Sequence, residues 1–144
     1  MMPLRKFEEF VKQGVVVRRS PNQTRANSLR DDSSGEKKFF DEVRSKIALT
    51  DENANSFIKS CYDIIMPLLR AKMLEAGFDA SGDGAHEAEV SYMRNLGFSG
   101  SETGFINDLR YFRNGILYYG EKHDAEYALK VIDFMERCYA KLRA

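Results

Sequence analysis

The sequence contains few of the residues that mark disulfide-linked, metal-binding or membrane-spanning proteins. Tryptophan is absent, and the two cysteines, Cys61 and Cys138, and the two histidines, His86 and His123, do not have the spacing of a metal site. No stretch approaches the roughly 20 consecutive apolar residues that span a bilayer, and the N-terminus has no apolar signal core. We therefore predict a soluble cytoplasmic protein with no metal, no cofactor and no membrane contact.

Neither positive nor negative charge is in excess. The 22 Lys and Arg residues are balanced by 22 Asp and Glu residues, so no overall field attracts nucleic acid or anionic lipid. Residues 10–30 nevertheless carry positive charge and no acid; their basic residues are Lys12, Arg18, Arg19, Arg25 and Arg30. We interpret this basic segment as a contact for an RNA backbone, a contact for an acidic protein partner, or a solvated face without a ligand.

Proline is also scarce, and apolar residues recur three and four positions apart over most of the chain, which is the spacing of one helix face. The predicted helices lie at about residues 3–13, 21–47, 50–77, 85–96, 101–120 and 124–142. Short loops between them indicate antiparallel neighbours. At 144 residues the chain is expected to form one domain. We predict an all-α fold, an antiparallel up-and-down bundle of four to five helices, with its core over about 20–143 and an N-terminal arm at 1–19.

A few residues predict how these helices begin and bend. Ser20 opens the sequence SPNQ, which has the pattern of a capping box, and Thr50 is the predicted N-cap of the next helix. Pro67 lies inside that helix and is expected to kink it. Two segments are not predicted as helices: residues 15–17 are ambiguous between helix and strand, and residues 79–84 are predicted as a flexible polar loop.

The stretch RYFRNGILYYG, residues 110–120, places polar side chains within an apolar helix. Arg113 falls at the edge of the buried face, where a guanidinium needs a carboxylate, carbonyl groups or a ligand. Arg110, Asn114 and Tyr118 form a polar ridge beside it, and the arginine fork suits phosphate oxygens. The candidate ligand-binding residues are Arg110, Arg113, Asn114, Tyr118 and Tyr119. In the alternative interpretation, Arg113 pairs with an acid on another helix and the ridge has no ligand.

The same stretch carries a resemblance to a known family. LRYFRNGILYYG, followed by DAEYALKVIDFMERCYAKL, resembles the C-terminal half of a HEPN domain (higher eukaryotes and prokaryotes nucleotide-binding). Upstream, SFIKSCYDIIMPLLRAKMLEAGF resembles the second long helix of that family, and GAHEAEVSYMRNLG resembles the short segment that follows it. The resemblance covers about residues 20–143 and implies a bundle of four or five antiparallel helices.

The family signature is an Arg followed by a polar residue and then, four to six residues after the Arg, a His. Arg113 and Asn114 match the first two positions, but the window for the His, which includes Tyr118 and Tyr119, contains no His. In active family members, Arg and His side chains of two protomers meet at a dimer interface and cleave RNA without metal. The resemblance therefore implies a homodimer. Other members are partners of a small nucleotidyltransferase in toxin–antitoxin pairs, so it also implies a possible partner of that kind.

Three functions remain open from the sequence. The first is a regulatory protein that binds a nucleotide or RNA without efficient catalysis. The second is a metal-independent endoribonuclease that uses Arg113 and Asn114 with a substitute acid or base, for which the candidates are Tyr118, His86 and His123. His86 is predicted in the first turn of its helix, from which it could reach Arg113, and His123 could fold back toward Tyr119. The third is a structural bundle without a ligand.

Overall fold

The structure of the protein is a computed structural model that describes residues 3–119 and 122–143; the side chains of residues 115–119 are outside this description. The α-helices of the described residues are α1 (Phe7–Lys12), α2 (Gln23–Lys46), α3 (Ala54–Glu75), α4 (Ala85–Ser91), α5 (Gly100–Tyr119) and α6 (Ala125–Leu142). Two short strands, β1 (Val16–Arg18) and β2 (Phe78–Ala80), and a 3-10 helix at Tyr92–Leu96 complete these elements. The prediction of an all-α helical bundle is confirmed.

The central element of the bundle is α3, which packs against α2, α4, α5 and α6. Its buried side chains, among them Ile58, Ile65 and Leu69, lie on several faces of the helix, as expected for a helix surrounded by others. Pro67 lies inside α3, and the helix continues on both sides of it. No helix in the described part of the chain combines the length and the apolar composition needed to cross a membrane.

Residues of the predicted N-terminal arm pack against the bundle. Phe7, Phe10 and Val16 form a buried cluster with side chains of α3, α4 and the 3-10 helix, and Phe7 lies edge-on to Phe78 with 5.1 Å between ring centroids. β1 pairs antiparallel with β2, so that Val16 lies opposite Ala80. The prediction of a polar loop over 79–84 is therefore wrong for its first two residues, because pairing with β1 extends them.

Two predicted N-caps are wrong by a few residues. α2 begins at Gln23, with Asn22 as its N-cap, and the Arg25 N–H donates to Asn22 Oδ1 at 3.0 Å. Ser20 stays outside the helix because the flanking backbone is tied to the end of α3: the N–H groups of residues 19 and 22 donate to the carbonyls of residues 77 and 74. The Thr50 N–H donates to Asn53 Oδ1 and the Asn53 N–H donates to Thr50 Oγ1, which closes a turn before the helix. The N-cap of α3 is therefore Asn53, and not Thr50.

The predicted end of α3 near Gly77 and the predicted start of the last helix at Asp124 are confirmed. Gly77 has a φ of +84°, and a Cβ at this position would lie 2.7 Å from the carbonyl oxygen of Arg19. Only glycine fits this close approach without strain. The Tyr127 N–H donates to Asp124 Oδ1 at 2.8 Å, which caps α6.

Acids of the same chain offset part of the charge of the basic segment. Arg19 and Arg25 lie 3.7 and 3.6 Å from Asp79 Oδ2, and Arg30 pairs with Glu75. These ion pairs connect the segment to β2 and to the end of α3. They also leave less positive charge for an RNA backbone than the sequence alone indicates.

Candidate functional site

The position of the candidate residues follows from which face of α5 is turned toward the core. Ser99 and Glu102 form a capping box at its start, with the Ser99 N–H donating to Glu102 Oε1 at 2.9 Å and the Glu102 N–H donating to Ser99 Oγ at 3.1 Å. Ile106 and Leu109 are buried in the core. The next turn of the helix therefore places Arg113 at the edge of the buried face, as predicted from the residue spacing.

A cleft of about 650 Å³ lies beside this edge of α5. Its walls come from the N-terminal segment, α3, the loop before α4, α4 itself and α5. The lining side chains that carry charge or a polar group are Arg5, Tyr62, Asp63, Asp83, His86, Glu87, Arg110, Arg113 and Asn114. The structure thus brings together four of the residues singled out from the sequence: His86, Arg110, Arg113 and Asn114.

Arg113 has only a loose contact with a carboxylate of its own chain. Its Nε lies 3.8 Å from Asp63 Oδ1, and its side chain is 27% exposed. The Nε atom itself is buried and has no hydrogen-bond partner among the described residues. Burial raises the pKa of the Asp63 carboxyl even though Arg113 and Lys59 favour its charged form. The ion-pair interpretation is therefore correct in part, but the pair leaves one donor of the guanidinium unsatisfied.

The other two arginines of the cleft differ in how strongly they are paired. Arg5 lies 3.0 Å from Glu87 Oε1, and this hydrogen bond holds the pKa of the Glu87 carboxyl below its ordinary value. Arg110 donates from Nε to Asn107 Oδ1 at 3.1 Å, and no carboxylate of the described residues lies within ion-pair distance of it. Arg110 and Arg113 are thus the cations of the cleft that are most open to an anionic ligand.

His86 enters the cleft from the first turn of α4, as predicted. Its side chain is 66% exposed, and its Nδ1 lies 3.4 Å from Oε1 of the buried Glu89. Arg70 of α3 donates to Glu89 at 2.6 Å from Nε and at 3.1 Å from Nη2. Burial opposes the charged form of Glu89, but His86 and Arg70 together hold the pKa of its carboxyl below the ordinary value.

Sequence reasoning missed Glu89 and Arg70 as parts of this site. The signal for Glu89 was its spacing of three residues from His86, which puts both on one helix face. The signal for Arg70 was the same as for Arg113, a guanidinium within an apolar helix. Neither signal reveals that a residue of α3 and one of α4 meet.

His123 does not line the cleft. Its ring lies 4.7 Å from that of Phe112 and 5.0 Å from that of Tyr127, and its backbone N–H donates to Asn55 Oδ1 at 3.0 Å. The buried Nε2 of His123 has no hydrogen-bond partner among the described residues. The predictions for Tyr118 and Tyr119, including contact of His123 with Tyr119, concern side chains outside the described part of the chain.

Two other clefts offer a poorer fit to an anion. One of about 600 Å³ lies between α5 and α6, where Glu102, Asp108 and Asp133 outnumber Lys130 and Arg137. Another of about 340 Å³ lies between α2 and α3 and is mainly apolar, with Phe39, Phe40, Val43, Ile47 and Phe57 among its lining residues. The Arg113 cleft offers three arginines and Asn114 as donors to a phosphate, beside three carboxylates, Asp63, Asp83 and Glu87.

Comparisons of the chain with protein-family models, with curated proteins and with solved structures found no match. The resemblance to HEPN domains stays a prediction, and the chemistry of the cleft has to be inferred from its own residues. Within residues 3–119 and 122–143, no group of three or more His, Cys, Asp or Glu side chains is arranged to hold a metal ion.

Proposed function

We propose that the protein binds a phosphate group of a nucleotide or of RNA in the cleft beside α5. The observation that carries this proposal is the guanidinium of Arg113, which lines an open cleft with a partly exposed side chain and has only a loose contact, at 3.8 Å, with Asp63. A charge-assisted hydrogen bond from this guanidinium to a phosphate oxygen is stronger than a hydrogen bond between neutral groups. Phosphate also matches the planar fork of the guanidinium better than the single distant contact with Asp63 does.

The neighbouring side chains support the same class of ligand. Arg110 supplies a second cation with no carboxylate partner among the described residues, and the exposed amide of Asn114 can donate to a phosphate oxygen or a base. The cleft volume of about 650 Å³ falls in the range of roughly 300–1,000 Å³ that is typical of small-molecule sites. A mononucleotide or a short piece of an RNA strand fits such a space.

The resemblance to HEPN domains supports the proposal independently, because Arg113 and Asn114 occupy the Arg–polar pair of that family. We extend the proposal on this basis to a cytoplasmic homodimer with the two clefts near its interface. A regulatory role beside a small nucleotidyltransferase, as in a toxin–antitoxin pair, is part of the same proposal. Light scattering of the purified protein tests the dimer, for which the expected mass is twice the 16.5 kDa of the chain.

Equilibrium binding of ATP and of a mixed-sequence single-stranded RNA tests the proposed site. Arg113→Ala should weaken binding by about 2 kcal/mol, or roughly 30-fold, since a charge-assisted contact is lost. Arg137→Ala is the matched control, because it removes the same charge from an exposed position on α6. The proposal is wrong if the wild type binds neither ligand at millimolar concentration or if both variants lose affinity equally; absence of binding would favour a structural bundle.

A further inference from the structure

A groove follows one face of α1, the first helix of the chain. It consists of two adjoining cavities of about 320 and 330 Å³, which share Phe7, Glu8 and Asn95 in their walls. The N-terminal segment and α1 form one side of it, and β1, β2 and the 3-10 helix form the other. This α1 groove has no lining residue in common with the Arg113 cleft.

The charged side chains of the α1 groove are mostly basic. Glu8 is the one acid among the lining residues of the two cavities, beside four exposed cations: Lys6, Lys12, Arg18 and Arg94. Within residues 3–119 and 122–143, none of the four cations forms an ion pair with a carboxylate. Lys6 and Arg94 lie outside the basic segment of residues 10–30, so this concentration of positive charge arises from the fold.

Neutral groups hold both arginines of the α1 groove in place. Arg94 donates from Nη1 to the carbonyl of Arg5 and from Nη2 to the carbonyl of Leu4, each at 3.2 Å. The guanidinium carbon of Arg18 lies 5.6 Å from the centroid of the Phe78 ring. Neither contact neutralises the charge. Both guanidinium groups are therefore oriented before an anion binds, which lowers the entropy lost on binding.

The floor between these cations is apolar. Phe7, at the centre of the groove, is 3% exposed, and the half-buried apolar residues around it are Leu4, Val11 and Phe78. An apolar side chain of a ligand would remove the exposed part of these residues from water, at a gain of about 25 cal/mol per Å² of buried apolar surface. The groove thus combines cations at its borders with an apolar floor.

This combination favours a peptide over a nucleic acid. Proteins that bind single strands present aromatic faces on which bases stack. The α1 groove has no such free face among its described residues, because Phe7 is buried and Phe78 is already in contact with Arg18, Phe7 and Tyr92. A peptide can place an apolar side chain between two carboxylates, whereas a nucleic-acid backbone presents a continuous series of phosphates.

We propose that the α1 groove binds a short acidic segment of a partner protein, in which carboxylates flank an apolar residue. Lys6 and Lys12 are six residues apart, which is about 9 Å along the axis of α1. About three residues of an extended chain cover this distance. Carboxylates two to four positions apart therefore reach cations at both ends of the groove, while the apolar residue between them packs on the floor. This inference is independent of the proposed phosphate site.

Fluorescence anisotropy of a labelled hexapeptide tests the site. The probe has two leucines flanked on each side by two acidic residues; one control peptide has serine in place of leucine, and another has lysine in place of the acids. We expect the probe to approach saturation by about 1 mM, the serine peptide to bind at least threefold more weakly, and the lysine peptide not to bind. Raising NaCl from about 50 mM to about 300 mM should weaken binding about tenfold, because the cations are exposed.

Substitutions then locate the bound peptide. Lys12→Ala and Arg18→Ala should each weaken binding roughly threefold to fivefold, as expected for loss of an exposed ion pair, and the double variant at least tenfold. Arg137→Ala is the matched control and should bind as the wild type does, because Arg137 is also exposed and its guanidinium carbon lies 5.7 Å from the Phe134 ring centroid. The NMR signal of the side-chain amide of Asn95, which lines both cavities, should shift on addition of the probe.

Several results would overturn the inference. They are no saturable binding of the probe at about 1 mM, equal losses in Arg18→Ala and Arg137→Ala, and equal affinity for the leucine and serine peptides, which would indicate unspecific attraction between charges. A single-stranded DNA oligonucleotide that binds more tightly than the probe and loses its affinity in the Lys12→Ala and Arg18→Ala double variant would show a nucleic-acid surface in place of a peptide site.

Discussion

Replacing Arg70 by methionine tests the buried ion pair that supports the cleft. Methionine keeps most of the length of the arginine stem but removes the two donors to Glu89, at 2.6 and 3.1 Å. Glu89, which is 3% exposed in the wild type, would then keep only His86 as an ion-pair partner. Breaking a buried pair on one side costs about 3–5 kcal/mol because a charge is left uncompensated. Since Arg70 is 28% exposed and water can enter in its place, we expect the lower end, about 3 kcal/mol.

The loss should depend on pH in a defined direction. In the wild type, burial raises the pKa of Glu89, but His86 and Arg70 outweigh it and the net pKa lies below the unfolded value of 4.5. The pair therefore stabilises the fold above pH 4.5 and loses this effect as the pH falls through the folded-state pKa. In Arg70→Met, burial is largely unopposed and the pKa of Glu89 rises. As the pH falls, the folded variant therefore takes up a proton on Glu89 at a higher pH than the folded wild type does, and the buried charge is removed. The stability difference between the two proteins should shrink as the pH falls from about 7 to about 4.

Urea unfolding followed by far-UV circular dichroism measures both effects. At neutral pH the variant should lose about 3 kcal/mol of a total stability of roughly 5–15 kcal/mol, which corresponds to a Tm lower by about 10 °C. Arg137→Met breaks an exposed pair with Asp133, at 3.4 Å, and should change stability by less than about 1 kcal/mol. A loss below about 1 kcal/mol for Arg70→Met, or an equal loss at both pH values, would refute the account of Glu89 as a buried charge.

Two other substitutions give distinct outcomes. Gly77→Ala should destabilise the protein by about 1–3 kcal/mol in the same unfolding assay, since φ is +84° and the new Cβ would lie 2.7 Å from the Arg19 carbonyl oxygen; Gly35→Ala, with nothing within 4 Å of the new Cβ, is the control. Asp63→Asn should tighten ATP or RNA binding roughly threefold to tenfold, about 1 kcal/mol, because a carboxylate that competes for Arg113 loses its charge. Unchanged or weaker binding in Asp63→Asn would contradict that competition.

The helices follow closely from local residue patterns, whereas their exact beginnings do not. The apolar spacing in α3, α5 and α6 predicts helices at nearly the observed positions, because burial of one face is a local property of the sequence. The start of α2 depends on backbone hydrogen bonds from residues 19 and 22 to the end of α3, more than 50 residues away. The pairing of β1 with β2 likewise joins distant three-residue segments, which carry too little pattern to predict a strand.

For the cleft, the sequence predicts which side chains are unusual but not which of them meet. The helix spacing places Arg113 at the edge of the buried face and His86 in the first turn of its helix, and both are observed there. That they line one cleft depends on how α4 and α5 pack, which is a tertiary property. The contact between Arg70 and Glu89 joins two helices in the same way, so single-sequence reasoning had no means to pair them.

The most direct test of the central claim is an NMR titration that observes the side-chain Nε–H of Arg113. Its signal, identified by its disappearance in Arg113→Ala, should shift progressively as ATP or 2′-O-methyl RNA is added, and should saturate with the fraction of protein bound. This is the result expected if a phosphate group binds the guanidinium of Arg113 in the cleft and changes the environment of its Nε–H. A signal that stays unmoved while the ligand is bound would show that the phosphate lies elsewhere, and the account of the cleft would be wrong.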